Sequence, residues 1–362
     1  MANKVIISIS QGNNPVSLYF FALAEKFVED NFHVVFIFDK QVKDLPSNTQ
    51  HYTHLTWPSY RPSKIKDFLF LNALISEHRP SYCIAIFGSV NVMMIVSYLR
   101  GVKNRIAWIR TTNTQVLLDS KNQFLSKLKV YRKALVYKLS NQINTNSNGT
   151  LLDAIKTFRI HKTKIKVLPN LIEPSKLTTK SFFQREMAIC VVGRLDKSKG
   201  HEILLGQFVN VIKLFPDLKL HVIGNGPEMD NLVSLSKSLR LYKSVIFHGT
   251  LPYSSISACF SNSLIGVSAS HSEAFGWVNI ESLREGTPII STKTEGAMDI
   301  LSPAINGEFF NLDDLDSLKI VVERILQNWN SYSKSALSMF HNKFSFESKI
   351  HEHYLEVKSN SV

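Results

Sequence analysis

Short apolar runs alternate with longer segments of helical period along the chain. Residues 4–10 read as a buried strand, 11–15 as a turn, and 17–30 as a helix with Leu18, Phe21, Ala22, Ala24 and Phe27 on its inner face. A strand follows at 33–38. Further strands are predicted at 82–87, 105–109 and 142–145, with helices at 65–78, 90–100 and 124–139 around them. A polar segment with two prolines, Pro169 and Pro174, then runs to Gln184 and suits an interdomain connection. Beyond it the pattern restarts: strands at 187–192, 218–223, 245–248, 264–267, 289–290 and 307–310, and helices at 201–215, 251–260, from Gly276 onward, and 344–357. Strand and helix in alternation predict parallel sheets and the α/β class in both halves.

The stretch from Leu264 to Ile290 is the most informative. It reads as a buried strand, a small polar loop from Ser268 to Phe275, and a helix stopped by Gly286-Thr287-Pro288 before the next strand. A polar loop at the carboxyl end of a parallel strand is where open α/β sheets bind ligands. Glu273 precedes the helix and Glu281 lies eight positions on, about 12 Å away along a helix. That is too far for one acid/base pair on a single bond; it suits the two ends of a long ligand. The helix start at Phe275, Gly276, Trp277 and Val278 lies between them, with free N–H groups suited to a phosphate. A sugar at Glu273, a diphosphate at the helix start and a ribose at Glu281 would fit a nucleotide-sugar. The alternative is two ordinary solvated glutamates.

Length and charge narrow the choice. A chain of 362 residues that is 44% hydrophobic predicts two domains. Its 42 basic and 29 acidic residues leave a net charge of +13, which implies an anionic partner. Zinc-finger spacing, RNP-type aromatics and basic zippers are missing, so nucleic acid is not expected. Cys83, Cys190 and Cys259 sit in apolar contexts without metal or disulfide spacing, and read as buried thiols in a reducing cytoplasm. The opening run from Val5 is too short for a signal peptide or a spanning helix, and no 18-residue apolar stretch occurs. From Lys121 to Lys138 there is no acidic residue. Phe124, Leu128, Tyr131, Leu135 and Leu139 recur at helical steps among Lys121, Lys127, Lys129, Arg132, Lys133 and Lys138. This stretch is either a peripheral contact with an anionic membrane or a domain helix with a solvated basic face.

The turns carry the remaining chemistry. The first strand is followed by Gly12 and Asn13 without the Gly-x-Gly-x-x-Gly fingerprint, which argues against a dehydrogenase. The strand at 187–192 leads into Gly193-Arg194-Leu195-Asp196-Lys197-Ser198-Lys199-Gly200, where two cations beside glycines can meet a diphosphate. Gly224-Asn225-Gly226-Pro227 closes the next strand. These segments, with Glu273-x-Phe275-Gly276, Glu281 and Gly286-Thr287-Pro288, resemble the motifs of retaining GT-B glycosyltransferases of the family 4 type. The resemblance covers the second half by ordered motifs and the first half by architecture alone.

The resemblance implies a GT-B fold: two Rossmann-like parallel-sheet domains facing each other across a cleft, with the C-terminal helix crossing back to the first. The expected division is 1–172 on the acceptor side, 173–342 for the donor, and 343–362 returning. It implies that Glu273, Arg194 and Lys199 form the catalytic set and that Glu281, Phe275, Gly276, Trp277, Val278, Gly193, Gly224, Asn225, Gly12 and Asn13 bind the donor. Arg194 and Lys199 would neutralise the diphosphate, and the leaving phosphate would assist acceptor deprotonation. Metal and other cofactors are not expected. Two departures stand out: Leu171 replaces the glycine of a Pro-Asn-Gly hinge, and 108–113 lacks the histidine that relatives place near the sugar. Arg110 and Asn113 are the acceptor-side candidates there. The expected activity is retaining transfer of a hexose from a nucleotide-diphosphate sugar, UDP-linked, to a glycan or lipid-linked acceptor in surface polysaccharide or lipopolysaccharide assembly. The expected location is cytoplasmic, on the inner face of the membrane. The alternatives are a nucleotide-sugar epimerase of similar architecture and a non-catalytic nucleotide-sugar-binding protein.

Overall fold

A computed structural model of the chain describes residues 3–10, 12, 14–39, 46–112 and 123–359. Asn13, Asn113, Lys121 and the side chains of Lys127 and Lys129 lie outside the described residues. The chain divides into two compact units, Met1–Ile172 with Lys349–Val362, and Glu173–Ser348.

The first unit is built on β1 (Asn3–Ile9), α1 (Pro15–Glu29), β2 (Phe32–Phe38), β3 (Tyr52–Thr56), α2 (Ile65–His78), β4 (Tyr82–Ile86), α3 (Val90–Leu99), β5 (Asn104–Ile109), α4 (Gln123–Lys138), β6 (Gln142–Thr145), α5 (Asn148–Phe158) and β7 (Ile165–Val167). Its seven strands are ordered β3-β2-β1-β4-β5-β6-β7 and every pairing is parallel. β1 and β4 are buried along most or all of their length, as strands covered on both faces must be. The buried face of α1 differs from the sequence expectation. It is Tyr19, Phe20, Leu23, Ala24 and Phe27, while Leu18, Phe21 and Ala22 are half-buried. Almost every position of this helix is apolar or aromatic, so periodicity did not single out one stripe.

The second unit comprises β8 (Glu186–Val192), α6 (His201–Leu214), β9 (Lys219–Ile223), α7 (Met229–Ser238), β10 (Val245–Gly249), α8 (Tyr253–Asn262), β11 (Ser263–Ser268), α9 (Trp277–Arg284), β12 (Ile289–Ser291), α10 (Ala297–Ile300), β13 (Gly307–Phe309), α11 (Ser317–Gln327) and α12 (Trp329–Lys343). Its sheet runs β10-β9-β8-β11-β12-β13, again parallel. In both sheets the strand order reverses direction once, between β1 and β4 and between β8 and β11. Loops at the carboxyl ends of such a pair diverge and leave a crevice.

The last helix, α13 (Phe346–Lys358), has its length from Lys349 onward in the first unit. There the Tyr19 hydroxyl meets His353 Nδ1 at 3.0 Å, Tyr354 donates to Asp30 at 2.5 Å, and Lys166 pairs with Glu356 at 2.7 Å.

One buried cation ties the second unit together. Arg185, just before β8, donates to the carbonyls of Phe260 (3.2 Å), Ser263 (3.0 Å) and Glu285 (2.7 Å) and to the Thr287 hydroxyl (2.6 Å). Its guanidinium lies 4.9 Å from the Trp329 ring centroid. Arg185→Ala strands these acceptors and should cost about 3 kcal/mol. Urea unfolding will show an earlier midpoint for this unit; a loss below about 1 kcal/mol contradicts the assignment.

Candidate active site in the second unit

The site forms where β8 and β11 part. β8 leads into Gly193-Arg194, and Leu195, fully buried, anchors the turn that follows. The Asp196 carboxylate accepts from the Ser198 backbone at 3.0 Å and its hydroxyl at 2.5 Å, which folds Lys197–Lys199 into one tight turn. Gly200 then adopts φ +65° against the end of β11; a Cβ there would stand 2.1 Å from the Ala269 carbonyl oxygen. Only glycine permits that approach, and it brings Lys199 and the start of α6 beside the loop after β11.

That loop is held from its other side. The His271 N–H donates to the Ser198 carbonyl at 2.9 Å, the Thr292 hydroxyl to the Ser270 carbonyl at 2.5 Å, and the Gly296 N–H to the Glu273 carbonyl at 2.9 Å. The two loops meet in an ion pair: Lys199 Nζ lies 2.5 Å from Glu273 Oε2, with each side chain about three-quarters buried. The Ser270 hydroxyl adds a longer contact to the same oxygen, at 3.4 Å.

A pocket of about 190 Å³ opens here, lined by 191–194, Lys199, His201, 268–270, Glu273, Gly276, Trp277 and Val278. The structure thus brings together Gly193, Arg194, Lys199, Glu273, Gly276, Trp277 and Val278 of the predicted set. Arg194 is largely solvated, its Nε 3.7 Å from Asp196 Oδ2. Gly276 caps α9, so the first N–H groups of that helix border the pocket. Two cations, a helix amino terminus and a carboxylate already matched to a cation can receive a ligand that is anionic at one end and hydroxylated at the other.

Other predicted residues stand outside the lining. Phe275 is buried and packs edge-on against Trp277 and Phe344. Gly224 and Asn225 brace the Gly193 turn: Gly193 N–H donates to the Ile223 carbonyl at 3.0 Å and Leu195 N–H to the Asn225 carbonyl at 3.1 Å. Gly224, at φ +134°, approaches so closely that a Cβ would lie 1.8 Å from the Gly193 oxygen. Glu281 is 5% exposed and is not a lining residue. The eight-residue spacing from Glu273 is only partly helical, because α9 begins at Trp277. In the first unit, Arg110 is buried at the end of β5, where it donates to the Asn170 side chain and its carbonyl accepts from Asn146 at 3.4 Å. Desolvation pushes its pKa down to about 10. Gly12 is half-buried just beyond β1.

His201 was not singled out from the sequence. It is the first residue of α6, 5% exposed, and lines the pocket beside Lys199. A histidine after a basic glycine turn carries no signal of its own. Among the described residues, no group of three or more His, Cys, Asp or Glu side chains is placed to hold a metal ion.

Burial raises the Glu281 carboxyl above its usual pKa, against the opposing pull of Arg284 and a hydrogen bond from Tyr253. The folded protein therefore binds this proton more tightly than the unfolded chain. Ionised Glu281 costs stability, starting as pH rises past the unfolded carboxyl value of 4.5 and in full above the raised folded value. Glu281→Gln should melt above wild type at about pH 7.5, with the gap closing below about pH 4. Thermal melts across that range test it; a variant that melts lower than wild type at every pH contradicts it.

Residues 177–337 match the family model described as glycosyl transferases group 1. A Campylobacter jejuni enzyme, named N-acetylgalactosamine-N,N'-diacetylbacillosaminyl-diphospho-undecaprenol 4-alpha-N-acetylgalactosaminyltransferase, is 27% identical over 300 residues, 79% of each chain. Sucrose-phosphate synthase from Thermosynechococcus elongatus superposes with a TM-score of 0.76 at 16% identity, covering 99% of this chain and 98% of its own. Anabaena HepE in complex with UDP and glucose superposes with a TM-score of 0.75 at 16% identity, covering 99% of both chains. The fold is GT-B.

Proposed function

We propose that this chain, whose residues 177–337 match the family model described as glycosyl transferases group 1, transfers a hexose-type sugar from a UDP-linked donor to a glycan or lipid-linked acceptor with retention of anomeric configuration. The observation that carries the reading is the Lys199–Glu273 pair in a pocket at the carboxyl end of β8 and β11. In the reaction the bond from the anomeric carbon to the donor phosphate breaks and one to the acceptor oxygen forms. The acceptor proton passes to the leaving phosphate, so no protein base is required. Negative charge grows on the departing diphosphate, and Arg194, Lys199 and the N–H groups at the start of α9 would meet it without a divalent cation. Glu273 takes the sugar hydroxyls once Lys199 turns to phosphate. Glu281 takes the ribose hydroxyls, its carboxylate oriented by the Tyr253 phenol. Gly12 and Asn13 are proposed as donor contacts, and Arg110 and Asn113 as acceptor contacts.

The acceptor side of the proposal draws on α4. On its described turns Val136 and Tyr137 are buried, while Tyr131 (65%) and Leu135 (46%) are exposed beside Arg132 and Lys138. Exposed apolar side chains among cations suit an anionic membrane surface, where a lipid-linked acceptor would be met. No helix among the described residues is long and apolar enough to cross a membrane. The Campylobacter relative bears the name of an enzyme with a diphospho-undecaprenol acceptor. We place the activity in surface polysaccharide or lipopolysaccharide assembly, at the cytoplasmic face of the membrane.

Lys199→Ala and Glu281→Ala should each weaken UDP binding about tenfold or more, the worth of a lost charge-assisted hydrogen bond. Calorimetric titration measures this, and unchanged affinity in both variants removes the donor-site assignment. Replacing Lys127, Lys129, Arg132 and Lys133 with glutamine should strip most of the protein from anionic liposomes in co-sedimentation, at about 1 kcal/mol per cation. Pelleting equal to wild type retires the membrane contact.

A further inference from the structure

We infer that His201 is a ligand-binding residue, whose imidazole N–H donates to the phosphate that carries the sugar. This rests on the donor reading above and adds a contact to it. His201 lines the pocket between Lys199 and the end of β11, yet among the described residues neither of its ring nitrogens meets a hydrogen-bond partner. The other histidine buried to a similar degree, His353, has one: its Nδ1 sits 3.0 Å from the Tyr19 hydroxyl. A buried imidazole without partners is disfavoured relative to an apolar side chain of the same bulk, unless a ligand completes it.

The chemistry around the ring selects the ligand atom. Burial and the nearby Lys199 charge hold the pKa down to about 4, so at neutral pH the ring is uncharged, with one donor and one acceptor nitrogen. It can therefore sit beside Lys199 without repulsion. The 14-residue helix α6 begins at His201 and has no side-chain cap, so its positive end borders the same pocket. Arg194, Lys199 and a helix amino terminus all favour an anionic acceptor of hydrogen bonds, and a phosphate oxygen is that acceptor. The Gly200 contact with Ala269 fixes the backbone from which the ring projects, so the donor is positioned before the ligand arrives.

The test uses His201→Leu, His201→Gln and the wild type, titrated calorimetrically with UDP and UMP, or with the GDP or ADP pair if that is the base the wild type binds. His201→Leu should lose about tenfold in diphosphate affinity, equal to 1.4 kcal/mol, with monophosphate affinity changed less than about twofold. His201→Gln, which keeps an amide donor, should stay within about threefold of wild type. In wild-type protein with ¹⁵N-labelled histidine, the His201 ring signals should shift on saturation with the diphosphate. Diphosphate binding by His201→Leu equal to wild type, or equal losses for both nucleotides, overturns the inference. So does an unmoved ring signal at saturation, which decides the matter even if the leucine variant does not fold. Failure of the wild type to bind any of these nucleotides instead overturns the donor reading on which the inference rests.

Discussion

Lys199 and Glu273 come from loops after different strands, 74 residues apart in sequence, and meet at 2.5 Å. Holding two opposite charges together at partial depth is the constraint the rest of the second unit serves. Without the pair, either charge would face a desolvated pocket alone. With it, the Lys199 and Glu273 charges are matched. A partly buried pair of this kind is worth about 1–3 kcal/mol, little enough for a diphosphate to take the ammonium and leave the carboxylate free for hydroxyls. Under the proposed function, one contact would couple recognition of the two ends of the ligand.

Backbone proximity makes that contact possible. Parallel strands β8 and β11 are neighbours, but their connections leave on different sides, as the reversal in strand order requires. The gap is narrowed at Gly200 against Ala269, while Gly224, just after β9, braces the Gly193 turn from the other side. Arg185 closes the opposite side by gathering carbonyls from α8, β11 and the turn after α9. These elements carry no reactive group, yet they set the distance between the groups that do. The first unit repeats the architecture with different contents. At the end of β5 a buried arginine meets side-chain amides from the ends of β6 and β7.

Much of this was legible in the sequence, for a physical reason. Central parallel strands are apolar runs, and the loops at their ends are rich in glycine and charge, so the β8 and β11 turns could be placed before their geometry was known. Edge strand β3 escaped because it is half-buried and polar, with threonine and histidine at alternate positions. β7, α5, α7, α11 and α12 also went unassigned, the helices lying in stretches where no motif drew attention. In α4 the tyrosine–leucine stripe that periodicity would assign to a core is solvent-facing at Tyr131 and Leu135, and Val136 and Tyr137 make the inward contact. Burial of Glu281 was invisible, because its desolvation depends on Tyr253 and Arg284 packing around it. His201 shows the same limit: a lone histidine gains meaning only from the pocket it lines.

On the proposed function, the Lys199–Glu273 pair receives the nucleotide-diphosphate sugar. A crystal structure of the protein soaked with UDP-glucose tests it most directly. Diphosphate density should lie at the start of α9 within hydrogen-bond reach of Lys199 and Arg194, with the ion pair opened and the Glu273 carboxylate on the sugar hydroxyls. A donor bound elsewhere on the chain, with Lys199 and Glu273 still joined, would contradict it.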